Sequence, residues 1–131
     1  MVRVTTPNQN PKLLPLTASV GGVAATLDRI PVGARVSFEA GWPADAAETF
    51  VVIDLASQAL VTQRESLRVS WFATGGVFDA DRTGRDESDP ATTSDNGWAS
   101  PAQPGTVHLW MVLRDSRGGI DFASYGLVVV Q

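Results

Sequence analysis

An acidic stretch of the chain carries the spacing of a calcium-binding loop. From Asp79 to Asp89 it reads Asp-Ala-Asp-Arg-Thr-Gly-Arg-Asp-Glu-Ser-Asp. Oxygen-bearing side chains on alternating residues, with a glycine at the sixth position, allow a chain to wrap around Ca²⁺. The candidate metal ligands are Asp79, Asp81, Thr83 and Asp86. Because Pro90 occupies the twelfth position, where such a loop needs a bidentate glutamate, the alternative is a solvated loop without a metal ion.

Two of the four tryptophans are candidate ligand-binding residues. Trp98 lies in an otherwise polar stretch, and Trp110 lies opposite the apolar side of its predicted strand. Exposed indole rings can stack on sugar rings or anchor a partner protein. The alternative is that Trp98 packs its loop onto the sheet and that Trp110 covers the second face of the sheet.

Patterns for catalysis are absent from the sequence. His108 is the only histidine, and the residues two positions away on its strand, Thr106 and Trp110, do not complete a metal site. The motifs of nucleophile elbows, phosphate-binding loops and dinucleotide-binding turns do not occur. There is also no cysteine to act as a nucleophile. We therefore predict no catalytic residue and expect that the protein is not an enzyme.

Length and charge narrow the class of protein further. A chain of 131 residues predicts a single domain, residues 1–131. The net charge of −4 argues against nucleic-acid binding, which requires a basic face. No apolar run approaches the ~20 residues that span a bilayer, so we predict no membrane span. The first residues lack the apolar core of a signal peptide, so the chain is either cytosolic or begins after a removed signal.

The elements that would position these residues are β-strands, and the last quarter of the chain predicts a long hairpin. One side of its first strand carries Val107, Leu109, Met111 and Leu113. The opposite side carries Thr106, His108, Trp110, Val112 and Arg114. Such period-2 alternation is typical of a strand with one buried face. Residues 115–119 supply an aspartate and two glycines for the turn. Residues 127–130 are apolar on both faces, which predicts a position inside a sheet.

Short strands with turn residues between them are predicted over much of the remaining chain. The alternating or β-branched runs are 34–42, 50–55, 59–64 and 67–73. We interpret 1–31 as an irregular N-terminal strand with turns. Residues 79–104 hold six of the fourteen acids and three prolines, which predicts one long acidic loop. The predicted core consists of Val36, Phe38, Val52, Val69, Trp71, Val107, Leu109, Met111, Leu113, Leu127 and Val129.

The order of three motifs resembles that of bacterial immunoglobulin-like domains of the polycystic-kidney-disease (PKD) type. Gly33–Ala40, Gly-Ala-Arg-Val-Ser-Phe-Glu-Ala, is similar to their early G-x-x-V-x-F-x-A strand. Ser70–Gly76, Ser-Trp-Phe-Ala-Thr-Gly-Gly, resembles the strand that contains their tryptophan. Pro104–Leu109 and Arg114–Gly119 resemble the closing hairpin, although Val107 stands where the family usually has tyrosine.

The resemblance covers 32–131, and the region 49–65 is longer than the pattern expects. It implies an all-β, immunoglobulin-like antiparallel β-sandwich of seven to nine strands, without catalytic residues. Domains of this family are modules of exported bacterial surface proteins and lipoproteins, where they act as spacers, adhesion modules or binding units. The resemblance therefore implies a location in the periplasm or at the cell surface.

Together these observations favour a non-catalytic structural or binding module of an exported bacterial surface protein or lipoprotein. We expect a monomer with a protein or carbohydrate partner and no cofactor. The alternative function is a calcium- or carbohydrate-dependent ligand-binding domain that uses the loop 79–98.

Overall fold

The computed structural model describes residues 2–3, 10–47, 49–54, 56 and 58–131, and for 2–3, 49–54 and 60–63 it describes the backbone. The described residues form thirteen strands and no helix. The strands are β1 (Val2–Arg3), β2 (Thr17–Val20), β3 (Val23–Ala25), β4 (Ile30–Pro31), β5 (Arg35–Gly41), β6 (Thr49–Asp54), β7 (Ala59–Arg64), β8 (Leu67–Ala73), β9 (Val77–Phe78), β10 (Arg82–Arg85), β11 (Thr93–Ala99), β12 (Gly105–Asp115) and β13 (Ile120–Val130).

Two five-stranded sheets make up a β-sandwich. Sheet I has the order β10-β8-β12-β13-β4, and sheet II has the order β3-β2-β5-β11-β9. Neighbouring strands are antiparallel except β13 and β4, which are parallel. The prediction of an all-β sandwich is confirmed. The predicted count of seven to nine strands is not confirmed, since the two sheets hold ten strands in the described part of the chain.

The region 49–65, which is long for the PKD pattern, forms the hairpin of β6 and β7. This hairpin pairs with β1 in a third sheet of order β1-β6-β7. The strands β6 and β7 lie between β5 and β8 in the sequence, so the hairpin is an insertion between a strand of sheet II and a strand of sheet I.

Strict alternation of apolar and polar residues creates the core between the sheets. Burial alternates residue by residue along β5, β8 and β12, as one buried face per strand requires. Ten of the eleven predicted core residues are buried in the apolar cluster, which confirms those predictions. The eleventh, Val52, lies outside the residues whose side chains are described.

Four aromatic rings form the centre of this core. Phe38 on β5 lies between its neighbours, with ring centroids 5.5 Å from Trp98, 6.4 Å from Trp71 and 6.4 Å from Phe78. Trp71 comes from sheet I, whereas the other three residues come from sheet II. The cluster therefore joins the two sheets, and aromatic pairs at such distances add to the stability gained by burying their area.

The prediction of one long loop over 79–104 is wrong, because the segment contains β10 and β11. In β11 the buried positions include Ser94 and Asn96, whose polarity hides the strand's alternation. The Asn96 amide is satisfied by the backbone of Ala80: its oxygen accepts a bond from the amide nitrogen at 3.3 Å, and its nitrogen donates to the carbonyl at 2.8 Å. The polar strand β10 is the edge of sheet I and pairs only with β8.

The segment that precedes β2 lies along β13. The backbone nitrogen of Leu13 donates to Asp121 Oδ2 at 2.8 Å, and that of Leu16 donates to the hydroxyl of Tyr125 at 3.0 Å. Beyond this, β13 pairs with β4 through Val129 and Val130. The apolar end of β13 is thus inside sheet I, as its sequence predicts, and is not a bare edge.

Candidate binding surface

The outer face of sheet I presents side chains that a solvated sheet face rarely carries together. We call this surface the arginine–aromatic face. It is defined by Phe72, Trp110, Val112, Phe122, Arg68, Arg82 and Arg114. These residues lie on β8, β10, β12 and β13, at the positions that point away from the core.

Strand register places the apolar members of this face side by side. Trp110 pairs with Phe72 on one neighbouring strand, and Val112 pairs with Phe122 on the other. Adjacent strands lie about 4.8 Å apart, and residues two positions apart on one strand lie about 6.7 Å apart. The four side chains therefore form one continuous apolar patch across three strands.

The aromatic rings of the patch are open to solvent. The exposed fraction is 53% for Phe72, 41% for Trp110 and 72% for Phe122. A single exposed apolar residue is common on protein surfaces, whereas a contiguous exposed group marks an interaction site. Removing these rings from water on contact with a partner would therefore supply binding free energy.

Three arginines lie at one end of the apolar patch. Arg68 and Arg114 are directly opposite each other in the register of β8 and β12, and Arg82 is opposite Ser70. Like charges that face each other across strands repel. Arg68 is paired with Asp86 at 2.5 Å, but Arg82 and Arg114 have no hydrogen-bond or ion-pair partner within the described part of the chain.

A shallow hollow of about 390 Å³ lies between these arginines. Besides the three arginines, its lining includes the hydroxyl-bearing residues Ser66, Ser70 and Ser116 and the acid Asp115, whose carboxylate accepts bonds from backbone nitrogens of the turn after β12. Guanidinium groups present fixed forks of N–H donors that match the two oxygens of a carboxylate, and hydroxyls both donate and accept. The hollow is thus suited to an anionic group that also carries hydroxyls.

His108 extends the face at the end away from the arginines. It is exposed on β12, and its ring centroid is 6.3 Å from that of Trp110. No group of three or more histidine, cysteine or acidic residues in the described ranges could hold a metal ion, so His108 is not part of such a cluster. Its position next to Trp110 makes it a polar contact at the rim of the apolar patch.

The two tryptophans proposed as ligand-binding residues lie in different environments. Trp110 is at the centre of the arginine–aromatic face. Trp98 is 0% exposed, and its indole nitrogen donates to the carbonyl of Gly75 at 3.2 Å. The interpretation of Trp98 as a surface ligand contact is therefore wrong, because its parity on β11 points it into the core.

The four candidate calcium ligands are not brought together. Asp79 receives two bonds from Arg35, at 2.6 and 2.9 Å, and Asp86 is paired with Arg68. The Thr83 hydroxyl accepts a bond from the indole nitrogen of Trp71 at 2.9 Å. Asp81 is exposed and completes no cluster with the other described acids. The structure therefore does not arrange the four residues as one calcium loop, because strand β10 places them in different surroundings.

The side-chain hydrogen bond from Arg35, together with the charge of this guanidinium, holds the pKa of Asp79 below its usual value. The carboxylate is therefore ionised at neutral pH and is already occupied by a cation of the chain.

We expect that millimolar CaCl₂ does not raise the melting temperature of the protein. A ligand that binds only the folded state at a hundredfold excess over Kd adds about 2.7 kcal/mol of stability, which is several degrees for a domain of this size. The measurement is thermal unfolding with CaCl₂ and with EDTA. A rise of several degrees that disappears in Asp79→Ala would contradict the geometry described above.

Aromatic residues on the polar side of a strand are a sequence signal for part of this surface. Phe72 lies on the side of β8 that carries Arg68 and Ser70, so it breaks a polar side as Trp110 does, whereas the side of β13 that carries Phe122 is partly apolar. Only Trp110 was identified from its parity as a binding candidate. Its neighbours were missed, since the register between β8, β12 and β13 is needed to place them on one patch.

Comparison with known proteins gives little further information. No protein-family model matches the sequence, and no curated protein matches it. Among solved structures the chain is similar to a lipoprotein from Bacteroides thetaiotaomicron, determined in solution by NMR, with 13% sequence identity. The match covers 96% of this chain and 84% of that chain, with a TM-score of 0.48. No inference of function is drawn from this likeness.

In the described ranges, no helix has the length and apolar character needed to cross a bilayer.

Proposed function

We propose that this protein is a non-catalytic binding module that contacts its partner through the arginine–aromatic face. The observation that carries the proposal is the contiguous group of exposed aromatic rings on sheet I, flanked by two arginines without partners among the described residues. Aromatic residues and arginine are the types enriched where binding energy concentrates in interfaces.

The strand order supports an immunoglobulin-like type of sandwich, as in PKD-type domains. In such folds a tryptophan on a central strand of one sheet is buried in the core. Trp71 on β8 has this position and is 3% exposed. The final strand β13 lies next to β12 and is parallel to the early strand β4, which gives sheet I a mixed edge.

Export to the periplasm or cell surface, as part of a surface protein or lipoprotein, belongs to the same proposal. It rests on the ordered motifs within 33–119 that resemble modules of exported bacterial proteins.

The binding role is tested with immobilised probes of two classes, a glycan array and a set of extracellular-matrix proteins. We expect that a probe bound by the wild-type chain is bound at least about tenfold more weakly by Trp110→Ala, because truncating a central interface aromatic typically costs 2 kcal/mol or more. Bound probes are also checked for turnover, which a non-catalytic module does not produce.

The matched control is Val77→Ser on β9. Val77 is 70% exposed but belongs to sheet II, so the change removes an exposed apolar side chain away from the proposed surface. The proposal is contradicted if Trp110→Ala and Val77→Ser weaken every bound probe equally, or if neither class of probe binds the wild-type chain.

A further inference from the structure

We propose that the arginine–aromatic face binds an acidic polysaccharide of the polyuronate class. This inference rests on the proposed function and names the ligand of the same surface. The carboxylates of the sugar chain would contact Arg82 and Arg114, and its pyranose rings would stack on Trp110 and Phe72.

Charge segregation supports an anionic ligand. The whole chain has a net charge of −4. Yet among the described positions that point outward on β8, β10, β12 and β13, three are arginine and none is acidic. A basic patch on an acidic protein attracts and orients anions.

The register of the arginines points to the same chemistry. Arg68 and Arg114 are opposed across strands, and Asp86 compensates only Arg68. A bound carboxylate between Arg82 and Arg114 would relieve the remaining repulsion, since charge-assisted bonds from guanidinium to carboxylate are among the strong hydrogen bonds of proteins. The hydroxyls of Ser66, Ser70 and Ser116 in the same hollow would meet sugar hydroxyls.

The flat aromatic patch distinguishes a glycan from an acidic peptide. The backbone groups of a sheet are already paired within the sheet, so a sheet face offers side chains alone. An extended peptide is bound better at a sheet edge, where its main chain gains hydrogen bonds. A sugar ring has no main-chain amides to satisfy, and its C–H face packs on the electron-rich face of an aromatic ring such as Trp110 or Phe72.

A second copy of the chain is also a poorer occupant. Pairing two arginine–aromatic faces around a twofold axis would bring identical surfaces together. The described outward positions of the four strands hold no acid, and the nearby Asp86 is already paired with Arg68, so it is not free to neutralise the other copy's arginines. Burying such unpaired charges is costly.

The test uses the intact chain and two polyuronates, polygalacturonate and alginate, measured by isothermal titration calorimetry. Methyl-esterified polygalacturonate serves as a probe with the same sugar backbone but masked carboxylates. We expect binding to the polyuronates and at least about tenfold weaker binding to the esterified chain, because the ester removes the charge-assisted hydrogen bonds. The affinity is also expected to fall as salt concentration rises, because salt screens these charges.

Two variants locate the site. The double variant Arg82→Gln/Arg114→Gln is expected to lose binding about tenfold or more, whereas Arg29→Gln, an exposed arginine outside this face, is expected to bind as the wild type does. All three side chains are on the surface, and thermal unfolding of each variant verifies that it folds.

The outcomes separate this inference from the proposed function. Absence of polyuronate binding, or equal binding of the esterified probe or of the double arginine variant, overturns the inference. Binding of poly-glutamate as tightly as of the polyuronates, without loss in Trp110→Ala, also overturns it, as does concentration-dependent dimerisation of the free chain that the double variant abolishes. The proposed function would still stand in each of these cases if the wild-type chain binds a probe from the glycan array or the matrix proteins and Trp110→Ala weakens that binding.

Discussion

Replacing Phe38 with alanine is expected to lower the free energy of unfolding by about 3–5 kcal/mol, because large-to-small changes of buried aromatic residues lose both burial and packing. Phe38 is 0% exposed, and its ring touches three other aromatic rings from both sheets. Its loss therefore leaves a cavity at the junction of the sandwich. Thermal or urea unfolding followed by tryptophan fluorescence measures the effect, since Trp71 and Trp98 both border that cavity.

Phe122→Ala is the matched control for this change. It removes the same ring from β13, but from a site that is 72% exposed. Surface substitutions of this kind usually change stability by less than about 1 kcal/mol. Equal losses in the two variants would mean that the ring of Phe38 is not the centre of the core.

Gly76→Ala is expected to destabilise the fold by about 2–5 kcal/mol. Gly76 has a φ of +74°, a region that costs a residue with a Cβ about 1–2 kcal/mol. A Cβ at this position would also overlap the indole ring of Trp98. That ring is buried and hydrogen-bonded to Gly75, so it has no room to move, and overpacking of this kind costs about 1–3 kcal/mol more.

Gly33→Ala separates the two contributions. Gly33 also has a positive φ, +58°, but no heavy atom lies within 4 Å of a Cβ built there. We expect it to lose only the backbone part, about 1–2 kcal/mol. Urea unfolding of both variants gives the difference, which reports the clash with Trp98. Similar losses in the two variants would show that the ring yields easily.

Large apolar residues at alternate positions made the centre of the fold predictable. Val36 and Phe38 on β5, or Leu109 and Met111 on β12, leave only one way to place a buried face. The turn after β12 was equally readable: the Asp115 carboxylate accepts bonds from the backbone nitrogens of Arg117 at 2.9 Å and Gly119 at 2.6 Å. In these elements, local chemistry and tertiary packing agree.

The strand β11 could not be predicted because its inward residues are partly polar. Ser94 and Asn96 are buried, and Asn96 is satisfied by a neighbouring backbone that only the folded chain brings near it. The same strand decides the environment of Trp98. Without β11, the polar flanks of Trp98 favour a surface loop, which is the reverse of its position in the core.

The candidate binding surface could be predicted only in part, because it depends both on the parity of single strands and on the register between strands. The parity of Trp110 follows from β12 alone. The proximity of Arg68 to Arg114 depends on the register between β8 and β12, and nothing local in the sequence sets that register. The partners of the candidate calcium ligands could not be predicted for the same reason, since Arg35 and Arg68, which bind two of these carboxylates, lie on strands distant from them in sequence.

The contacts that join Leu13 and Leu16 to β13 have a consequence for how the chain folds. They connect residues 108 and 109 positions apart, and β4 pairs with β13 over a similar span. Closures between such distant residues put a domain among the slow folders, on the millisecond-to-second scale. At a synthesis rate of about 5–20 residues per second, β2 and β4 leave the ribosome on the order of 5–20 s before β13. Over that interval β4 lacks its strand partner β13, so Ile30, which is buried in the folded chain, stays open to water, and transiently exposed apolar surface of this kind promotes aggregation.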